Sequence, residues 1–524
     1  MDTMNLRQRI AAMLPCFALA AFLFSPLYSL VLFAVYKRLD AKNKCKMGLF
    51  YAVLLVLVID LLVICFGGKN VILHAAPSSI LEWFFVPSPL RLCVPLMVAL
   101  LYVCCGNAQA DAELLQAAKR ARVDNYIHTS AVDFGNRMHT FVAGTTGAGK
   151  TTLLLQYVKD SIQHEEPLYI LSGKNGTDDM RSLLNMTRKL AAFYHRDMYL
   201  ISLNPREVER RPYNPFASMS PGEVADALVS MSVYTEPHYK YCALIWIKAI
   251  AECLALAGVS LSLAAICNVY LWDDFAVLLG QLARNGKITK EQQREYLGLK
   301  KVADEAALSR SRFQNLLFGD GSDLFRHPEH SISASTAHKA GAIFFVDLDS
   351  FRYNDFTEAV GRLFIADMRH IIGSETNMAI HKRIILDELG AYATDQLMPI
   401  FAQARSYGYQ LIAATQSIAD LYAVSDTFAE RLLENCGQYA VLRLNSAEDA
   451  EKMSNIIGTR EVVETTYKSS GLLLDASGAG TKKIIHEYKV PPDTIKELPP
   501  LHAIVYDKQD TEHIKLLKVP FLDL

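Results

Sequence analysis

Thr140-Phe141-Val142-Ala143-Gly144-Thr145-Thr146-Gly147-Ala148-Gly149-Lys150-Thr151-Thr152 is a short strand-like run followed at once by a full G-x-x-x-x-G-K-T motif. Glycines at these positions let a backbone wrap phosphate oxygens with its N–H groups. The helix-like run Thr152 to Val158 then adds the favourable end of its dipole. The spacing predicts a strand, a phosphate loop and a helix that bind ATP with Mg²⁺. Gly144, Thr145, Thr146, Gly147, Ala148, Gly149, Lys150, Thr151 and Thr152 line the phosphates. The Lys150 ammonium neutralises the β and γ phosphates, and the Thr151 hydroxyl holds the metal.

Kinases, GTPases and motors all use such a loop, so a second motif decides the class. Arg383-Ile384-Ile385-Leu386-Asp387-Glu388 reads as a buried strand ending in two acids. Asp387 at its end would complete the Mg²⁺ shell, and Glu388 would act as general base on the attacking water, which favours hydrolysis over group transfer. Gln416, closing the strand Leu411 to Ala414, is placed to sense the γ-phosphate. Arg405 ends the helix-like segment Thr394 to Ala404. There it serves either as a finger reaching the site of a neighbouring subunit or as a solvated helix-end charge.

Around these motifs, apolar runs alternate with helical segments, the pattern of an α/β fold with a parallel sheet covered on both faces. Expected strands are 140–143, 169–172, 198–203, 343–346, 383–386, 411–414 and 439–442. From about Ser218 to Phe325 there is no strand signal, whereas 273–284 and 289–318 carry helical periodicity. The expected organisation is a RecA-like nucleotide domain over 111–217 and 326–524, with an all-α domain, 218–325, inserted. Ala243 to Trp272 is apolar, but Lys248, Glu252 and Gly258 argue against a membrane span there. A crossing would also separate the two halves of the nucleotide site.

The 524 residues are 51% hydrophobic and 21% charged, with a net charge of −2. The apolar excess sits before residue 111. Ile10 to Tyr36 has no charge over 27 residues, Met47 to Gly68 is broken only by Asp60, and Leu92 to Ala110 is uncharged. A bilayer needs about 20 apolar residues. Lys37, Arg38, Lys42, Lys44 and Lys46 lie between the first two segments, and Lys119, Arg120 and Arg122 follow the third. By the positive-inside rule both stretches are cytoplasmic. The expectation is an inner-membrane region, 1–110, made of a hairpin at about 47–110 and an extra N-terminal segment that is either a third crossing or re-entrant. The ATPase part is then cytoplasmic. No C-x-x-C pair and no His-Cys spacing of a zinc site is evident among the ten cysteines. A pI of 6.7 gives no basic surface of the kind a conventional DNA-binding module shows.

In their order these motifs resemble the type IV secretion coupling proteins, the conjugative TraG/TraD-type membrane ATPases. The resemblance rests on the phosphate loop, Tyr213-Asn214-Pro215-Phe216, Asp347-Leu348-Asp349-Ser350 and Leu386-Asp387-Glu388-Leu389-Gly390. Ala404-Arg405-Ser406-Tyr407-Gly408, Ala414-Thr415-Gln416-Ser417 and Leu433-Glu434-Asn435-Cys436 follow. It implies a homo-hexameric ring with ATP sites between subunits. It also implies inner-membrane secretion components as partners, and a relaxase with single-stranded DNA, or effector proteins, as substrates. Ser172-Gly173-Lys174 departs from the acidic residue the family places before Lys-Gly. A scaffold that binds ATP with little turnover, and a related double-stranded DNA translocase, are the other readings. The Tyr213 to Phe216 segment and the early helical insert speak against the translocase.

Overall fold

Each residue of the strands β2 Thr140–Ala143, β3 Leu168–Ser172, β5 Ile343–Asp347, β6 Lys382–Asp387, β7 Tyr409–Thr415 and β8 Gln438–Val441 is buried. That is why they read as near-continuous apolar runs instead of alternating ones. They belong to a ten-stranded sheet in the order β1-β12-β11-β8-β2-β7-β6-β3-β5-β4. The remaining members are β1 Ile127–Thr129, β4 Met198–Ser202, β11 His502–Asp507 and β12 Asp510–Lys518. From β8 to β4 every neighbouring pair is parallel. A separate antiparallel pair is formed by β9 Thr459–Tyr467 and β10 Gly480–Tyr488. The computed structural model describes residues 126–522, except 133, 135, 136, 175–178, 233, 320 and 468–479. The segments 10–36, 47–68 and 92–110, expected to meet the membrane, lie outside the described residues.

Successive strand residues point to opposite faces. In β6, Ile384 and Leu386 enter one core and Ile385 the other; in β7, Leu411 and Ala413 enter one, Ile412 and Ala414 the other. Helices α1 Lys150–Gln163 and α2 Leu183–Phe193 cover one face through Leu153, Leu154, Val158, Leu183, Leu184 and Leu190. Arg383, fully buried at the start of β6, fastens α1 to the sheet. Its guanidinium donates to Tyr157 O (2.9 Å), Ser161 Oγ (2.6 Å) and Asp160 Oδ2 (3.0 Å), and to Gln410 Oε1 of β7 (2.9 Å).

Between β4 and β5 every described element is helical. The longer ones are α3 Pro221–Ser230, α4 Pro237–Ala257, α5 Leu263–Asn268, α6 Trp272–Arg284, α7 Lys290–Leu297 and α8 Lys300–Ala306. Helices α9 Arg310–Gln314, α10 Asp323–Arg326 and α11 Ala334–Ala340 complete the series. Trp246 of α4 is buried at its centre, with Nε1 donating to Tyr270 O (2.7 Å) and its ring edge-on to Phe275. No described helix is long and apolar enough to cross a membrane, and α4 stops at Gly258, whose φ of 78° is the left-handed cap expected of glycine. The helical core is continuous with the second face of the sheet, which α12 Asn354–Gly373, α13 Met398–Gln403 and α15 Asp426–Asn435 also cover, α14 Ala419–Tyr422 lying between the last two.

The Tyr213 to Phe216 segment is the joint. Asn214 Oδ1 accepts from Phe216 N (3.2 Å), capping a single helical turn, and its amide donates to Leu261 O (2.9 Å). Tyr213 OH donates to Asp367 Oδ2 of α12 (3.1 Å), which also accepts from Ala334 N (2.8 Å). Beyond the last expected strand, 439–442, the chain makes the hairpin β11–β12, preceded by the pair β9–β10, neither of them expected.

Burial pushes the Asp367 carboxyl up to about 7, against about 3.9 in an unfolded chain. The folded state therefore holds the proton more tightly. The site's contribution is complete below about pH 4 and is lost as pH rises through about 7. Urea unfolding at pH 5 and pH 8 should show a loss with rising pH that Asp367→Asn reduces by on the order of a few kcal/mol. An unchanged pH dependence in the variant would refute this.

Candidate nucleotide-binding site

The phosphate loop leaves β2 at the middle of the sheet, with the ends of β7 and β8 on either side. Gly144 N donates to Thr415 O (3.3 Å) and Thr145 N to Arg443 O (2.9 Å), so both neighbouring strand ends hold the loop. Gly149 caps α1 with φ 110° and no side chain, which leaves the first-turn N–H groups of Lys150, Thr151 and Thr152 free to face an anion. A Cβ at Gly149 would lie 2.9 Å from Leu501 Cδ2, and one at Gly144 2.8 Å from Leu442 Cβ. Gly147, φ 76°, is also left-handed. Behind the loop, Leu501 N donates to Ala148 O (2.9 Å).

Lys150 Nζ donates to Gly144 O (2.6 Å). Burial lowers its pKa, and the charges of Glu388 and Asp387 act to raise it, which places both acids within electrostatic reach of the ammonium. Asp387 is buried at the end of β6. Burial, then the neighbouring Glu388, pushes its carboxyl up to about 6, while Lys150 and Lys174 act to lower it. Its carbonyl is fixed by Tyr392 OH (2.9 Å) and Gly173 N (3.1 Å). Glu388 follows with φ 53°, a left-handed conformation that is uncommon for a side-chain-bearing residue and that clusters at functional sites. Its carboxylate Oε1 accepts from Gln416 Nε2 (2.7 Å), and Gln416 Oε1 accepts from Thr146 Oγ1 of the phosphate loop (2.7 Å). Gln416 itself is positioned by the loop after it, where Ser417 Oγ and Ile418 N donate to Asp449 Oδ2 at 2.8 and 3.1 Å.

The expected residues Gly144 to Thr152, Asp387, Glu388 and Gln416 thus converge at the C-terminal edge of one sheet. Arg405 does not join them. It lies in the turn Ala404–Tyr407 before β7, at the opposite edge, where it donates to Met138 Sδ (2.8 Å). Burial, with the Arg405 charge, pushes neighbouring His139 down to about 4. Three contributors carry no motif: Asn445, whose Nδ2 donates to Thr145 Oγ1 (3.2 Å), Leu501 behind Gly149, and Lys174, close enough to act on Asp387 and Lys150. Only Lys174 had a sequence signal, since it sits in the departing Ser172-Gly173-Lys174 loop.

Residues 381–500 match the family model described as the TraM recognition site of TraD and TraG. Comparison with curated protein sequences gives no match. The chain resembles the TraG/TraD-type coupling proteins. Among solved structures it is similar to the bacterial conjugative coupling protein TrwB in unbound form, at 18% identity and TM-score 0.56, over 74% of this chain and 86% of that one. Plasmid coupling protein TrwB in complex with ADP and Mg²⁺ is similar at 17% identity and TM-score 0.54, over 76% and 90%. Its complex with a non-hydrolysable ATP analogue matches at 17% and 0.52, over 78% and 92%. At these identities the likeness establishes the α/β nucleotide-domain fold of TrwB.

Gly149→Ala would impose side-chain strain at φ 110° and a contact with Leu501. Strain of that kind costs about 1–3 kcal/mol, so Kd for ADP should rise about tenfold or more. Titration with a fluorescent ADP should show this, whereas Gly222→Ala, which meets nothing within 4 Å, should bind as the parent does. Equal affinity in both variants would remove the steric argument.

Proposed function

We propose that the chain is a membrane-anchored, ATP-hydrolysing coupling motor that drives relaxase-bound single-stranded DNA, effector proteins or both into a type IV secretion channel. The observation that carries this reading is the hydrogen-bonded series Thr146–Gln416–Glu388. It connects the phosphate loop to the general base through a side chain whose loop is anchored elsewhere in the fold. A scaffold that only holds nucleotide has no need of that link; a motor must report the state of its phosphates.

The residues fit ATP and Mg²⁺. The backbone cradle around Gly144 to Gly149 admits no Cβ at two positions, the uncapped start of α1 favours an anion, and the acidic pair faces Lys150. Thr151 and Asp387 would hold Mg²⁺, which would supply neutralisation of the phosphate charge. Lys150 trades the Gly144 carbonyl for phosphate. Glu388 takes the proton of the attacking water, and Gln416, already bonded to that carboxylate, orients it and registers the γ-phosphate. Arg405, at the far edge of its own sheet, acts across a subunit boundary in a homo-hexamer.

The inserted helices 218–325 form the cytoplasm-facing domain, and 1–110 the inner-membrane anchor that meets the secretion components. Residues 381–500, which match the TraM recognition site of TraD and TraG, would also receive a TraM-like partner.

ATP hydrolysis by the full chain in detergent or nanodiscs, with and without single-stranded DNA, tests this. Glu388→Gln should lower kcat by about 10²–10⁴ while nucleotide still binds, and Lys150→Ala should abolish turnover. DNA stimulation lost in Lys150→Ala assigns a DNA-engaging motor, and DNA-independent turnover assigns protein effectors. Turnover that survives both substitutions, or none in the parent, overturns the motor in favour of the scaffold.

A further inference from the structure

We propose that the helical region carries a zinc site built from His238, Cys242 and Glu305, unrelated to the nucleotide chemistry. The three donors converge although they come from two elements. His238 and Cys242 are four residues apart on the first turns of α4, hence on one face, and Glu305 comes from α8, packed against it. His238 Nε2 lies 2.6 Å from Glu305 Oε2, Cys242 Sγ lies 3.1 Å from the same oxygen, and sulfur and nitrogen are 3.6 Å apart. Among the described residues this is the group of three or more such side chains whose donor atoms all fall within 4.8 Å of one another.

One nitrogen, one sulfur and one oxygen donor form a borderline-soft set that suits Zn²⁺ and discriminates against Mg²⁺ and Ca²⁺. Tetrahedral zinc with bonds of about 2.0–2.3 Å places its ligands about 3.4–3.6 Å apart. The sulfur–nitrogen spacing already matches. Only the Glu305 carboxylate has to withdraw, by less than about 1 Å, and its side chain is part-exposed with three rotatable bonds. Lys301, one turn before Glu305 on α8, is the nearby opposing charge; it is free to swing into solvent. Metal entry replaces the Cys242 S–H bond with a Zn–S bond and releases one proton to solvent.

His238 is exposed and Cys242 buried, so the fourth position faces outward and takes water. The ion would clamp the start of α4 to α8, which no other described ion pair joins. No His-Cys spacing of a zinc site was expected from the sequence. The helical i, i+4 pair was present, but its third ligand lies 63 residues further on.

The test uses the full chain in detergent. Metal analysis after purification in zinc, and titration with Co²⁺ alone, should give one metal per chain with a thiolate-to-cobalt charge-transfer band. Cys242→Ser should abolish the band, and Glu305→Gln and His238→Ala, at a part-exposed and an exposed position, should each weaken Zn²⁺ binding by more than about a hundredfold, beyond what outer-shell changes cause. Lys150-dependent ATP turnover, unaltered in Glu305→Gln, verifies that the variant is folded and keeps this result separate from the motor reading. No charge-transfer band in the parent, or zinc affinity equal in parent, Glu305→Gln and His238→Ala, overturns the site.

Discussion

Everything at the nucleotide site depends on the parallel register of β2 between β7 and β8. Ala143 lies opposite Thr415 on one side and Val441 on the other, and Leu386 of β6 lies opposite Ala413. With four strands ending at nearly one level, the residues that follow them have nowhere to go but the same edge. These are the phosphate loop after β2, Gln416 after β7, Arg443 and Asn445 after β8, and Glu388 after β6. A one-residue slip of β7 would turn its Leu411/Ala413 and Ile412/Ala414 faces over and bury the wrong set. The packing that fixes the register therefore also fixes the Gln416 side chain between Thr146 and Glu388.

The same constraint accounts for what was legible in the sequence. Of the seven readable strands, six are buried throughout and so leave an uninterrupted apolar run, the edge strand β4 is buried over its last three residues, and β6 betrayed itself further by ending in Asp387-Glu388. The pair β9–β10 was not readable. Thr459-Arg460-Glu461-Val462-Val463-Glu464-Thr465-Thr466-Tyr467 mixes charges with β-branched residues, as a two-stranded ribbon outside the main core allows. Nor could sequence place β12 or the left-handed Leu501, which become meaningful only once the C-terminal hairpin folds back beside Ala148.

Candidate-site residues that lie in motifs were named in advance and converge in the fold, whereas those that act through backbone or remote contact were not named. Asn445 is an ordinary polar residue after a strand until β8 pairs with β2. His238 and Cys242 are an exposed and a buried residue on an aromatic-rich helix until α8 brings Glu305 alongside. In both cases the missing information is which distant element packs there, and periodicity within one segment does not contain it. Arg405 shows the converse. Its place at the end of a helical segment was correct, yet only the strand direction reveals that it sits at the edge away from its own phosphate loop.

The helical region hangs from β4 and β5, at the far end of the sheet from β2, so its attachment to the nucleotide site has to run through side chains. One contiguous route is visible. Asp387 O accepts from Tyr392 OH, and the Tyr392 side chain packs so closely on α12 that a Cβ on Gly361 would come within 2.6 Å of it. Less than two turns further along α12, Asp367 holds Tyr213 and the backbone of Ala334 at the two ends of the helical region. Glycine at 361 is needed because the Tyr392 side chain, whose hydroxyl fixes the Asp387 carbonyl, presses there, and a buried Asp367 is tolerated because it accepts from two segments of chain at once. Contiguity of this kind supplies a rigid connection. A movement of Asp387 as phosphate charge changes would be passed to α12 with little slack, and from α12 to both entry points of the helical region.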